Sequence, residues 1–261
     1  MKKILITGAG TGIGRAATEA LAKKGHHVYP TTVDEDQARE LNELGKKEGW
    51  KLDAFKLDVT NEADRQKAGE LELDVLYNNA GVGFSGSSLE LDVDKIRLNM
   101  EVNVFSAIRL SQIVAKGMIE RQKGTLLYTS SIGGRIPFPW LASYCMTKYA
   151  LEALAETLRV ELEMLDKNVH VALIEPGPYK TGFNQSILGN KFDWMQSGSY
   201  WQDKIDFMKK DDDEKLAEME STDLSDLIEK VVQACEADTP ELRYFAPESW
   251  LPIVKEAETA R

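Results

Sequence analysis

Cysteine and histidine are scarce in this chain: two of the former, Cys145 and Cys235, and three of the latter. Two isolated thiols form no disulfide framework, and no Cys/His spacing resembles a zinc site. No metal is therefore expected. Cations are outnumbered as well, 32 Lys and Arg against 43 Asp and Glu, for a net charge of −11. Such a balance argues against nucleic acid and anionic membrane as partners, since both carry phosphate at high density. It leaves room for a local pocket that takes a phosphorylated cofactor. Long hydrophobic runs are missing too. The first apolar stretch, Ile4-Leu5-Ile6, stops at Thr7-Gly8, too short for a signal peptide or a membrane span. The expected setting is cytoplasmic and reducing.

What is present looks like an ordinary globular protein: 261 residues, 43% hydrophobic and 29% charged. No repeat, low-complexity linker or second-domain boundary stands out, so residues 1–261 are read as one domain. Short β-like runs alternate with helical patterns, the arrangement of a parallel sheet covered on both faces. Ile4-Leu5-Ile6 is continuously apolar, as a doubly covered strand should be. It leads into Thr7-Gly8-Ala9-Gly10-Thr11-Gly12-Ile13-Gly14 and then a helical pattern from Arg15 to Lys24. Glycines between strand and helix permit a tight turn and close backbone approach to a phosphate. The helix N-terminus adds free N–H groups and a favourable dipole for the anion. Strand, glycines and helix arriving together point to a dinucleotide site.

The second strand, His27 to Thr32, ends where the adenosine ribose sits in such architectures. An acid there favours NAD and a nearby arginine NADP; Thr31-Thr32-Val33-Asp34 offers neither signal cleanly. Thr32 could serve a ribose hydroxyl, and Asp34 could curl back or cap the next helix. Ala54 to Leu57 reads as the third strand, followed by Asp58-Val59-Thr60, where Asp58 is placed either to accept from adenine or to cap. Val75 to Tyr77, the fourth, enters Asn78-Asn79-Ala80-Gly81. The amides can hold neighbouring backbone in register, and the small residues leave room for a ligand. A long helical pattern with Asn99 and Asn103 follows, then a fifth strand, Leu126 to Thr129, with Ser130-Ser131 at its C-terminal edge, where open parallel sheets bind ligands.

Tyr144 and Lys148 lie four residues apart in a helix expected from about Tyr144 to Leu165. That spacing brings a phenol and an ammonium onto one face. A neighbouring cation favours phenolate, moving a tyrosine toward proton-transfer chemistry, although the same pair is common on ordinary helices. Val169 to Ile174 is the sixth strand, and Pro176-Gly177-Pro178-Tyr179-Lys180-Thr181 follows at another ligand edge. Residues 182–222 are the least regular stretch and carry many aromatics. They could line a lid over an apolar or aromatic substrate, the favoured reading because they follow a ligand-edge loop, or pack a terminal subdomain or contact a partner; Asp211 to Glu214 is read as a solvated face. Leu224 to Cys235 is a helix and Leu242 to Phe245 a closing strand.

Taken together, the segment from Thr7 to Gly14, Asn78-Asn79-Ala80-Gly81, Ser131, Tyr144-Cys145-Met146-Thr147-Lys148 and Pro176-Gly177 resemble the short-chain dehydrogenase/reductase family, in its single-domain branch. The order and spacing carry the likeness, most clearly over residues 1–181. The resemblance implies a Rossmann-type, doubly wound, three-layer α/β/α fold. It also implies a catalytic tetrad of Asn103, Ser131, Tyr144 and Lys148, Asn103 fitting the family pattern better than Asn99. Tyr144 would be the acid/base, Ser131 would orient the reacting oxygen, Lys148 would lower the Tyr144 pKa and bind the nicotinamide ribose, and Asn103 would hold a relay water. NAD(P)(H) would be held by Gly8, Thr11, Gly12, Ile13, Gly14, Thr32, Asp58, Val59, Asn79, Ala80, Gly81, Tyr144, Lys148, Pro176, Gly177 and Thr181, the last at the carboxamide. Val33 stands where NADP-using relatives carry Arg, which leaves NAD against NADP open. The implied activity is alcohol/carbonyl oxidoreduction, and the implied assembly a homodimer or homotetramer built on the long central helices. The competing reading is a cofactor-sensing or scaffolding protein of the same fold without turnover.

Overall fold

A computed structural model describes residues 1–195 and 198–260. Seven strands form one parallel sheet in the order β3-β2-β1-β4-β5-β6-β7. The strands are β1 (Lys3–Ile6), β2 (His27–Thr32), β3 (Phe55–Lys56), β4 (Val75–Asn78), β5 (Gly124–Thr129), β6 (Val169–Pro176) and β7 (Arg243–Ala246). The chain winds outward from β1 in both directions, so the expected Rossmann-type α/β/α fold is the one observed. The crevice at the reversal, beyond the C-terminal ends of β1 and β4, is where such sheets bind ligands.

Both faces of the sheet are apolar because successive side chains alternate. Ile4 and Ile6 join Val75, Tyr77, Leu127 and Ile174 on one side, under α1 (Gly12–Lys23) and α9 (Ser225–Glu236). Leu5, Leu76, Leu126, Tyr128 and Leu173 face the other side, against α3 (Glu62–Gly69), α5 (Ser106–Arg121) and α6 (Ala142–Leu165). Helix α2 (Glu35–Glu48) packs along β2 and β3, α4 (Val93–Met100) packs against α6, and α10 (Leu251–Thr259) is the last helix described.

Boundaries moved where local chemistry outweighed the pattern. Helix α1 starts at Gly12 rather than Arg15, because Thr11 is its extended N-cap and the glycines form its first turn. The third strand shrinks to two residues at the sheet edge, and β6 runs on to Pro176. Between α4 and α5 the helix passes through a π turn, Glu101–Phe105, that contains Asn103. The stretch 182–222 is more regular than its composition suggested: it holds α7 (Phe183–Gly189) and α8 (Ile205–Met219). Gln196 and Ser197 of that stretch lie outside the described residues. No helix of the described residues is long and apolar enough to cross a membrane.

Candidate active site

One cavity of about 1030 Å³ opens along the C-terminal ends of β1, β2, β4, β5 and β6. Every residue named above for cofactor or catalysis lines it except Gly14 and Asn103.

The glycine segment forms its floor. Gly8 and Gly12 have φ of +64° and +55°, in the left-handed region that favours glycine. A Cβ on Gly8 would sit 2.8 Å from the Ala80 Cα, and one on Gly14 would sit 2.6 Å from the Asn79 Nδ2 and closer still to the Gly8 carbonyl. Gly14 is thus a packing residue behind the cradle rather than part of its surface. Thr11 is exposed and its side chain does not cap α1, so no capping side chain takes the first-turn N–H groups beside Gly12 and Ile13, which line the cavity. A backbone cradle with no room for Cβ atoms, at an uncapped helix N-terminus, fits a dinucleotide pyrophosphate.

Asn79 ties three strand ends together. Its amide donates to the carbonyls of Thr7 (3.0 Å) and Gly8 (3.2 Å) and accepts from Thr129 Oγ1 at 3.1 Å. The register-holding role expected of these amides is thus seen at Asn79, and Ala80 and Gly81 present small surfaces beside it. Thr32 is buried, and its hydroxyl donates to the Asp34 carbonyl rather than standing free for a ribose. Asp34 caps α2 by accepting from Asp36 N at 2.7 Å. Asp58 likewise has a partner close by in the chain. One carboxylate oxygen accepts from Thr60 N (2.8 Å) and Thr60 Oγ1 (2.7 Å), closing a turn, although the residue still lines the cavity with Val59. Gln37, one turn into α2, was not foreseen. Its carboxamide fills the space that a Gly10 side chain would need.

At the other end Pro176 and Gly177 leave β6, with Gly177 N donating to the Ala246 carbonyl at 2.7 Å. Thr181 crosses toward α1; its Cβ would lie 3.3 Å from a Cβ on Gly12. Between these walls stand Ser131, Tyr144 and Lys148. Ser131 Oγ accepts from Gly133 N at 3.0 Å, which leaves its own proton to donate outward. Tyr144, in the first turn of α6, stacks edge-on against Phe183 with centroids 5.8 Å apart. Burial pushes the Tyr144 phenol well above its ordinary pKa, and a hydrogen bond with Ser131 works in the opposite direction. The net direction is upward, so burial outweighs the lowering expected from the sequence. The Lys148 ammonium donates to the Thr129 carbonyl at 2.7 Å and sits 5.4 Å from the Tyr144 ring centroid. Burial also draws its own pKa down to about 8, with Glu152 pushing the other way.

Asn103 sits behind this group. Its amide donates to the Val82 carbonyl (2.8 Å) and Thr147 Oγ1 (3.1 Å), and accepts from Val82 N (2.8 Å). It clamps the loop after β4 to α6, so its carboxamide is committed to protein. Asn99 is buried and bonds Ser143 Oγ at 2.9 Å, a packing role.

The remaining wall is apolar and aromatic, with Phe138, Trp140, Phe183, Leu188, Phe207 and Met219. Trp140 has φ of +66°, an uncommon conformation for a bulky residue, and packs edge-on against Trp201 at 4.8 Å. Of the run Asp211 to Glu214, read as a solvated face, Asp213 and Glu214 are exposed, whereas Asp211 and Asp212 of α8 line the cavity. Asp212 pairs with Lys191, a fully buried lysine whose ammonium also reaches the Leu188 carbonyl at 3.1 Å. An acidic run reads as solvated unless its cation is known, and Lys191 lies twenty-one residues away. Among the described residues no cluster of His, Cys, Asp and Glu could hold a metal.

The family model for short chain dehydrogenases matches residues 2–191. The 17-beta-hydroxysteroid dehydrogenase type 1 of Homo sapiens is 30% identical over 262 residues, covering 97% of this chain and 79% of the relative. Among solved structures, a short-chain dehydrogenase/reductase from Burkholderia phymatum in complex with NAD superposes with a TM-score of 0.81 at 23% identity, covering 97% of this chain and 92% of that one. A short-chain dehydrogenase from Sphingobium yanoikuyae in complex with NADPH gives 0.77 at 21% identity, covering 100% and 94%.

Proposed function

The chain belongs to the short-chain dehydrogenase family and is an oxidoreductase of that family; from that premise we propose that it interconverts an alcohol and a carbonyl, with Tyr144 giving and taking the proton. The observation that carries this reading is the continuity of one cavity from the uncapped α1 N-terminus to Ser131 and Tyr144. NAD(P)(H) bound along it supplies or accepts the hydride. The α1 first turn and the glycines would hold its pyrophosphate. Thr32, Val33 and Gln37 would border the adenosine ribose, Lys148 the nicotinamide ribose, and Pro176, Gly177 and Thr181 the nicotinamide.

The chain's own part is geometry and proton handling. Ser131, with Oγ fixed by Gly133 N, donates to the reacting oxygen and orients it. Tyr144 is protonated at neutral pH, as any phenol is, and burial reinforces that state, so the resting form is the acid that carbonyl reduction needs. In oxidation it must act as a base, and the buried ammonium of Lys148 then stabilises the phenolate that results. The Asn103 carboxamide is spent on Val82 and Thr147, so a relay water at this residue is held by its main chain. Residues 182–222 act as a lid whose aromatic inner face selects an apolar or aromatic substrate.

Phe105, Met146, Val160 and Met164 are exposed on the central helical elements, which supports the family's dimeric or tetrameric assembly; a solution mass measurement decides it. For the activity itself, titration with NADH and NADPH should show binding. Turnover should then appear against a panel of steroid, aromatic and aliphatic ketones and alcohols. Tight dinucleotide binding with no turnover across the panel would favour the sensor instead.

A further inference from the structure

Behind the reacting groups lies a second cluster of titratable side chains that the proton and hydride transfers do not touch. Its centre is Glu152 on α6, four residues after Lys148 and only 6% exposed. One carboxylate oxygen accepts from Ser130 Oγ, and Ser130 immediately precedes Ser131 at the end of β5. The other accepts from Arg243 on β7 at 3.0 Å. Arg243 also pairs with Glu156, one turn further along α6, and with Glu175 on β6 at 3.1 Å. Arg135 joins Glu175 at 3.1 Å from the other side and pairs with Glu258 of α10. No slack exists at the junction. A Cβ on Gly134 would lie 2.8 Å from Ser130 Oγ, 3.1 Å from the Glu152 Cγ and 3.1 Å from the Lys148 carbonyl carbon.

Lys148 is itself buried, and the acceptor that its ammonium reaches, the Thr129 carbonyl, is neutral. An ammonium out of water with a dipole for company tends to release its proton. Glu152 lies one helical turn away and is the charge that opposes this loss. Burial and Glu175 in turn push the Glu152 carboxyl up to about 7 against the pull of Ser130 and Arg243, so it carries its charge above neutral pH, where Lys148 would lose its proton. Both of its oxygens accept hydrogen bonds, the pattern of a carboxylate.

We propose that Glu152 is a positioning residue for the proton-transfer site, the buried counter-charge that keeps Lys148 an ammonium and the anchor that fixes the Ser130–Ser131 strand end. The proposal rests on the oxidoreductase reading of the same site. The charged and polar groups facing Glu152 are Lys148 and Glu156 on its own helix, Ser130 on the β5 exit, Glu175 on β6 and Arg243 on β7. Arg135 and Glu258 lie one contact further out. Lys148 is protonated below its pKa, so removing the anion moves the loss of that proton to lower pH.

The test is the pH dependence of kcat/KM for alcohol oxidation in the wild type, Glu152→Gln and Glu152→Asp, read with the pH dependence of NADPH affinity by nicotinamide fluorescence. In Glu152→Gln the alkaline limb of both profiles should move down by about one pH unit, with the gap from wild type closing toward pH 6. Glu152→Asp keeps the charge and should return the limb to within about 0.3 units. The affinity profile needs no turnover, so a protein that binds without reacting still reports the limb, and failure of the oxidoreductase reading is separable. A Gln variant that loses rate equally at every pH, with its limb unmoved, would overturn the proposal. So would Gln and Asp variants that both fail to fold at the assay temperature, since Gln preserves the shape of both contacts.

Discussion

The loop from Thr7 to Gly14 and the segment 182–222 border the same cavity and are built differently. The loop carries no side chain larger than isoleucine and is held by backbone: positive φ at Gly8 and Gly12, and Asn79 bonded to the Thr7 and Gly8 carbonyls. The segment is held by side chains. Lys191 pairs with Asp212 beneath α7 and α8, and Asn190 reaches across to Gly83 O at 3.0 Å and Ser85 N at 3.0 Å. Backbone recognition suits a ligand part common to all dinucleotides, whereas a surface of aromatic side chains can be re-cut for one substrate. A cradle of this kind tolerates no added atom. A side-chain wall tolerates many, provided its anchors stay paired.

The sharpest way to break that contrast is to add one methyl to each region. Gly14→Ala places a Cβ 2.6 Å from Asn79 Nδ2 and closer to the Gly8 carbonyl. It should cost about 2–3 kcal/mol, lowering the melting temperature by about 6–10 °C, and dinucleotide titration should show loss of binding. Gly189 in α7 meets nothing within 4 Å. The same change there should leave titration unaltered and melting unchanged or slightly raised. Next in size, Lys191→Met leaves Asp212 in a half-buried site without its cation. The KM for an apolar ketone should rise about tenfold, with kcat and dinucleotide affinity within about twofold. A Lys191→Met/Asp212→Leu double variant should recover most of the loss, since removing both charges leaves neither stranded. The smallest effect belongs to the cradle's rim. Val33 is 66% exposed and lines the cavity just beyond β2, and Val33→Arg should favour NADPH over NADH by about fivefold relative to wild type, measured by paired titrations.

The same contrast explains what could be read from the chain beforehand. The cradle and the Tyr144 and Lys148 pair were legible because each is fixed by local spacing: glycines at a strand end, or two residues four apart on a helix. Spacing alone does not fix the roles of Asp58 and Thr32, because Thr60 and the Asp34 carbonyl lie two residues away and engage the same oxygens that a ligand would use. Lys191 and Asp212 were missed because neither shows its partner in sequence. Glu152 was the exception that could have been found. It stands one turn beyond Lys148 and beside Leu151 and Ala155 on the buried face of α6, and its burial follows from that position.

The central claim is that Tyr144 handles the proton while the rest of the cavity binds. Single-turnover hydride transfer in Tyr144→Phe, measured at saturating dinucleotide alongside the dissociation constant, tests it most directly. Hydride transfer should fall by about 10²- to 10⁴-fold, with NADPH affinity within about threefold of wild type. Transfer at the wild-type rate in a variant that still binds the cofactor would contradict the assignment.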